Sequence, residues 1–178
     1  MPRLHSIPAA DATGKAAELF SAIKARTGMV PNAYRDIGVN SPIALETMLG
    51  VDAALRKSTL SAKDIEVIKL AVSEAAGCDY CVAAHTLVGK GVGLSTEALA
   101  AARHHGASGD TRLDALAAFA HHLASSRGTV ASERIAEVKA AGISDAEIVD
   151  TLLAISSITF TNLFNRVNDT TLDFPPVK

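Results

Sequence analysis

The chain has 178 residues, 17 Lys and Arg against 19 Asp and Glu, and a formal charge of −2; 48% of it is hydrophobic and only 4% aromatic. That length and apolar share suit one domain with an aliphatic core, and the balanced charge without a Lys/Arg cluster excludes a nucleic-acid footprint, which needs a basic stripe. The opening MPRLHSIPAADATGK lacks the apolar run of a secretory signal, so the expectation is a cytoplasmic protein whose paired cysteines work as a redox couple.

Nearly every segment reads as helix, and no alternating run rich in β-branched residues marks a strand. The expected class is therefore all-α, a compact multi-helix bundle forming a single domain over 1–178. An N-terminal helical segment spans 1–55, a redox core 56–105 and C-terminal helices 110–178. Asp11 or Thr13 can cap a first helix running to Ala25, and the Gly28 to Pro31 turn leads to a short segment. Ser41-Pro42 then opens another helix, since proline is pre-organised for a first helical position.

Ser61, with Asp64 three residues on, starts the helix that carries Glu66, and Gly77 breaks it. Glu66 sits among Ile65, Val67, Ile68, Leu70, Ala71 and Val72, a nearly all-apolar stretch that implies burial. A buried carboxylate needs a partner or a raised pKa, which suits a proton relay. Glu74 is its rival, and a solvated Glu66–Lys69 pair is the bland alternative.

Both cysteines follow at once, in Gly77-Cys78-Asp79-Tyr80-Cys81-Val82-Ala83-Ala84-His85. On a helix, residues three, four and seven apart share a face, so Cys78, Cys81 and His85 project together. Cys78 falls in the first turn, where free N–H groups and the helix dipole favour a thiolate. His85, one turn beyond Cys81, can take the proton of that second sulfur. A Cys-X-X-Cys pair often has a lowered thiol pKa, so the residues by themselves point to a dithiol/disulfide redox centre. Two core cysteines, a permanent disulfide and a zinc site are the alternatives; zinc lacks a fourth ligand, and the remaining histidines lie outside the motif.

Ser95 starts a further helix ending at Gly106, and Ser144 with Glu147 starts a later one. His104-His105 and His121-His122 read as surface or interface residues, because sequence neighbours on a helix point about 100° apart. The apolar stretch from Ile148 to Phe164, interrupted by Asp150 and Asn162, fits a buried helix better than a membrane span. Setting Asp64-Ile65-Glu66-Val67-Ile68 against Asp145-Ala146-Glu147-Ile148-Val149 puts Cys78, Cys81 and His85 opposite Thr159, Asn162 and Arg166. The second half thus reads as a degenerate copy of a helical hairpin.

From Leu60 to about Leu99, the stretch LSAKDIEVIKLAVSEAAGCDYCVAAHTLVGKGVGLSTEAL resembles the redox-active branch of the alkylhydroperoxidase D and carboxymuconolactone decarboxylase-like family. A Glu precedes Cys-X-X-Cys-X-X-X-His by eleven residues, and the flanks GMVPNAYR and NRVNDTTLDFP are similar to peroxidase-related members. The resemblance implies a thiol peroxidase that needs no haem, flavin, other cofactor or metal. In it Cys81 attacks the peroxide to give a sulfenic acid, Cys78 resolves that as a disulfide, and Glu66 with His85 relays the proton. Tyr80 stands where well-studied members carry a second histidine, so it is at most an auxiliary. The resemblance also implies a homotrimer or homohexamer recycled by an external dithiol, a lipoyl protein or a thioredoxin-like donor. Alternatives on the same scaffold are a carboxymuconolactone decarboxylase-type lactone-handling enzyme and a non-enzymatic Cys/His module that binds metal or senses oxidation.

Overall fold

The computed structural model describes residues 2–126 and 128–177. Among them the ordered elements are helices: a 3-10 turn at Ala9–Asp11, then α1 Gly14–Thr27, α2 Asn32–Asn40, α3 Pro42–Leu55, α4 Ala62–Ala75, α5 Asp79–Gly91, α6 Thr96–His104, α7 Thr111–Ser126, α8 Ser132–Ala140 and α9 Asp145–Asn168. The all-α class stands.

Local chemistry sets most of these boundaries. Ser41 caps α3, with Pro42 at its first position, and Ser95 caps α6. Ser61 with Asp64, and Ser144 with Glu147, form reciprocal capping boxes at the starts of α4 and α9. In each box two amides that would otherwise lack a partner are satisfied. Thr13 occupies the cap position of α1 without a side-chain cap bond, and α1 runs on to Thr27 before Gly28 closes it in the left-handed region.

The central helix is α4, which packs against α5, α6, α7 and α9. From Asp64 to Ser73 every one of its residues is buried, so it is surrounded rather than amphipathic. The main core joins α4 to Leu116, Phe119 and Ala120 of α7 and to Ala154 and Ile158 of α9. A smaller core built from Phe20, Ile23, Ile37, Leu45 and Met48 ties α1, α2 and α3 together.

Two sequence expectations change. Residues 145–168 form one unbroken helix, so the second half holds no hairpin matching α4 and α5. Gly77 takes φ +59° and ends α4, whereas the aligned position is Ile158, which continues α9. The similarity between the halves reflects two capping boxes, and their acids, Asp64 and Glu147, do not even fall at the positions first aligned. The helix is also only half buried. Thr151, Ala154, Ile158, Asn162 and Asn165 face inward, while Val149, Leu163 and Val167 are 63%, 61% and 60% exposed.

Candidate active site

The hinge between α4 and α5 holds both sulfurs. Cys78 N–H donates to Ser73 O at 3.0 Å and Gly77 N–H to Glu74 O at 2.9 Å. These are the two bonds of a Schellman closure with glycine in the left-handed position. Arg166 donates to the Gly77 carbonyl. The positive φ favours glycine here, and a Cβ added at Gly77 would lie 3.1 Å from that guanidinium, which would have to shift by a few tenths of an ångström. Cys78, the last residue of this closure, is at once the N-cap residue of α5.

Cys81 follows one turn later, and the two Sγ atoms lie 2.8 Å apart, both thiols free and buried. The hydrogen bond to Cys78, together with burial, pushes the Cys81 thiol up. The same bond lowers Cys78, helped by the Cys81 backbone N–H and the Arg166 charge and opposed by burial. Asn165 Nδ2 donates to Cys81 Sγ at 3.2 Å, and Asn165 and Thr161 both favour negative charge on that sulfur. Asn165 is buried, and its Oδ1 lacks a partner among the described residues.

The remaining predicted residues separate cleanly. His85 Nδ1 lies 2.7 Å from Glu66 Oε2; with Nδ1–H donating to the carboxylate, Nε2 is left as the basic nitrogen. Glu74 is taken by Arg103 Nε at 2.7 Å, so Glu66 is the one of the two glutamates that lies against His85. The Tyr80 hydroxyl accepts from Ala33 N–H at 3.1 Å, and its ring meets Phe174 edge-on at 5.4 Å. Burial raises its phenol far above the ordinary range. Tyr80 is thus a pin joining α5 to α2 and the C-terminal segment. Among the described residues no group of three or more His, Cys, Asp and Glu side chains is arranged to hold a metal ion. His105 and His121, from the two histidine pairs, meet edge to face, with ring centroids 3.9 Å apart and planes at 66°.

Two cavities flank the dithiol. One, of about 300 Å³, is lined by Cys81 and His85 and by apolar groups including Met29, Leu87, Ile158 and Phe174. Its polar floor was not foreseen: Lys69 Nζ pairs with Asp52 Oδ1 at 2.7 Å, and Ser157 Oγ donates to the same oxygen at 3.0 Å. The other cavity, of about 370 Å³, is a polar bowl lined by Cys78 with Arg3, Asp79, Arg166 and Asp169. Asn165 and Tyr80 line both. The sequence signal for the α9 contribution is the spacing of Ser157, Thr161 and Asn165, polar residues four apart on one face of an apolar helix.

Residues 42–121 match the carboxymuconolactone decarboxylase family model. No curated protein matches the sequence. Among solved structures, an uncharacterized peroxidase-related protein from Ralstonia eutropha, described as an alkylhydroperoxidase AhpD core, superposes with TM-score 0.85 at 18% identity over 97% of this chain and 92% of that one. A peroxidase-related protein from a Silicibacter species gives TM-score 0.82 at 20% identity over 96% and 91%. The debrominase Bmp8 in complex with 2,3,4-tribromopyrrole gives TM-score 0.81 at 18% identity over 97% and 92%. Likenesses at this identity are likenesses of fold.

Proposed function

We propose, from the match of residues 42–121 to the carboxymuconolactone decarboxylase family model and from the alkylhydroperoxidase D-like fold, that this chain is a member of that family and a dithiol-dependent peroxidase acting on organic hydroperoxides. The observation that carries this reading is the pair of sulfurs 2.8 Å apart beside a cavity shared by Cys81 and His85. In the proposed cycle His85 Nε2, its ring held by Glu66, takes the Cys81 proton. The thiolate attacks the terminal peroxide oxygen; the O–O bond breaks, Cys81 becomes a sulfenic acid, and the departing alkoxide recovers a proton from His85 to leave as an alcohol. The Cys78 thiolate then attacks the sulfenic sulfur and expels hydroxide, which leaves as water, giving the disulfide. Two thiols are oxidised for each peroxide reduced.

An external dithiol, a lipoyl protein or a thioredoxin-like donor, closes the cycle, and a reducing cytoplasm suits it. A second copy of the chain covers the exposed apolar face of α9 in a homotrimer or homohexamer.

A test is turnover of cumene hydroperoxide with excess dithiothreitol. The wild type consumes peroxide catalytically and Cys81→Ser does not. Glu66→Gln, which weakens the hold on His85, slows the oxidative step by about a hundredfold. Equal rates in wild type and Cys81→Ser would overturn the proposal.

A second reading keeps the dithiol and changes the substrate. The apolar cavity over Cys81 has room for a small halogenated aromatic ring, and the fold is shared with a debrominase. Two thiols and an aryl bromide would give the aryl hydride, bromide, a proton and the disulfide. Bromide release from 2,3,4-tribromopyrrole by pre-reduced protein, with hydroperoxide untouched, would select it.

A further inference from the structure

Cys78 and Cys81 line different cavities, and the cavities differ in kind. Cys81 with His85 borders the apolar one; Cys78 borders the polar bowl on the other side of the α5 N-terminus. We propose that the dithiol is worked from both faces: the oxidant reaches Cys81 through the apolar cavity, and the thiol reductant attacks Cys78 Sγ from the polar bowl. This rests on the dithiol cycle proposed above and adds the site and the chemical class of the reductant, a hydrophilic thiolate.

Geometry carries the assignment. Thiol–disulfide exchange places attacking, central and leaving sulfurs nearly in line. Attack on Cys78 therefore comes from the side away from Cys81, and the cavity that Cys78 lines without Cys81 is the bowl. Cys81 is then the leaving sulfur, and it leaves toward the Asn165 Nδ2–H donor that already lies 3.2 Å from it. The opposite attack would bring a charged thiolate through a cavity walled by Met29, Leu87, Ile158 and Phe174, where desolvation opposes it. The step balances: the incoming thiolate forms a disulfide with Cys78, the Cys78–Cys81 bond breaks, and Cys81 keeps the electron pair and regains a proton. A second thiolate then attacks the mixed disulfide and releases Cys78 as a thiolate.

The bowl sets Arg3 and Arg166 against Asp79 and Asp169. The Arg3 guanidinium donates to the Arg166 and Val167 carbonyls at the end of α9, and Arg166 donates to Gly77 O. Both guanidiniums are therefore hydrogen-bonded to backbone carbonyls. Asp79 is exposed at the start of α5, so its charge can be reversed without disturbing the core.

The test begins from full-length protein oxidised to the disulfide with diamide, which forms the disulfide whether or not the protein is a peroxidase. It is mixed with 3-mercaptopropionate, quenched with N-ethylmaleimide and mapped by mass spectrometry. The expected product carries mercaptopropionate on Cys78 and maleimide on Cys81. Mercaptopropionate on Cys81, or equally on both, overturns the proposal. The second measurement is the ratio of disulfide-reduction rates with anionic 3-mercaptopropionate and cationic cysteamine, which cancels changes in the intrinsic reactivity of the disulfide. Asp79→Lys raises that ratio about fivefold or more if the thiol passes through the bowl. An unchanged ratio overturns the proposal even if no adduct is trapped. Failure of hydroperoxide to oxidise the dithiol, with these two results intact, would count against the peroxidase reading alone.

Discussion

Cys78 gains its character from position. It ends the closure of α4, begins α5, and receives the Cys81 hydrogen bond, the Cys81 amide and the nearby Arg166 charge. A lowered pKa means that the thiolate survives to lower pH than in a free cysteine, so its reactivity falls only when pH drops through the lowered value. Iodoacetamide should alkylate Cys78 before Cys81, with a half-maximal rate below the ~8.5 of an ordinary thiol. Peptide mapping across pH 5–10 reads both features, and alkylation of Cys81 first would contradict this distribution of charge. Much of this was legible in the sequence, because the spacing of Cys78, Cys81 and His85 is local and Gly77 announces the break. Asn165 and the Lys69–Asp52 pair were not legible: they reach the site from helices 84 and 17 residues away from their partners. Glu66 was already favoured over Glu74 by its apolar neighbours and the family motif; tertiary structure adds that Arg103 occupies Glu74.

Among the elements, α4 and α9 are joined at their starts. Arg112 of α7 donates Nη2 to Asp64 Oδ2 at 3.1 Å and to Glu147 Oε1 at 2.6 Å, bridging the acids of both capping boxes. Asp64 is buried, so removing the guanidinium leaves its carboxylate short of a partner. Arg112→Met should cost about 2 kcal/mol in chemical denaturation, and no change would show the bridge to be ornamental. Bonds from Ser144, and then Arg112, hold the Glu147 carboxyl down at about 2. The stability it contributes is present above the ~4.3 of an unfolded glutamate and is lost as pH falls toward that lowered value. Arg112→Met should keep most of this acid dependence, because Ser144 supplies the larger share. The capping boxes were readable from Ser61-x-x-Asp64 and Ser144-x-x-Glu147, but their bridge was not. The similarity of these two starts is also what made the halves look duplicated.

For the whole molecule, the open question raised by the surface is the outer face of α9. Val149, Leu163 and Val167, together with Ile43 of α3 at 68%, are more than half exposed, and such a run of apolar side chains marks an interaction surface. By length and composition α9 could also cross a membrane, yet its inward face carries the Asn165 contact to Cys81 and the Asn162 contact to Ser73. With a second copy as the proposed occupant, light scattering should give a trimer or hexamer, and Leu163→Glu should lower the mass toward the monomer. A wild type already monomeric at micromolar concentration would remove the oligomer from the proposal. The central claim is tested most directly by a single-turnover thiol titration. Protein is reduced, freed of reductant and given a slight excess of cumene hydroperoxide, and free thiols are counted against peroxide consumed. Two thiols should be lost for each peroxide reduced, with the loss abolished in Cys81→Ser; undiminished thiols beside unconsumed peroxide would rule out the dithiol peroxidase.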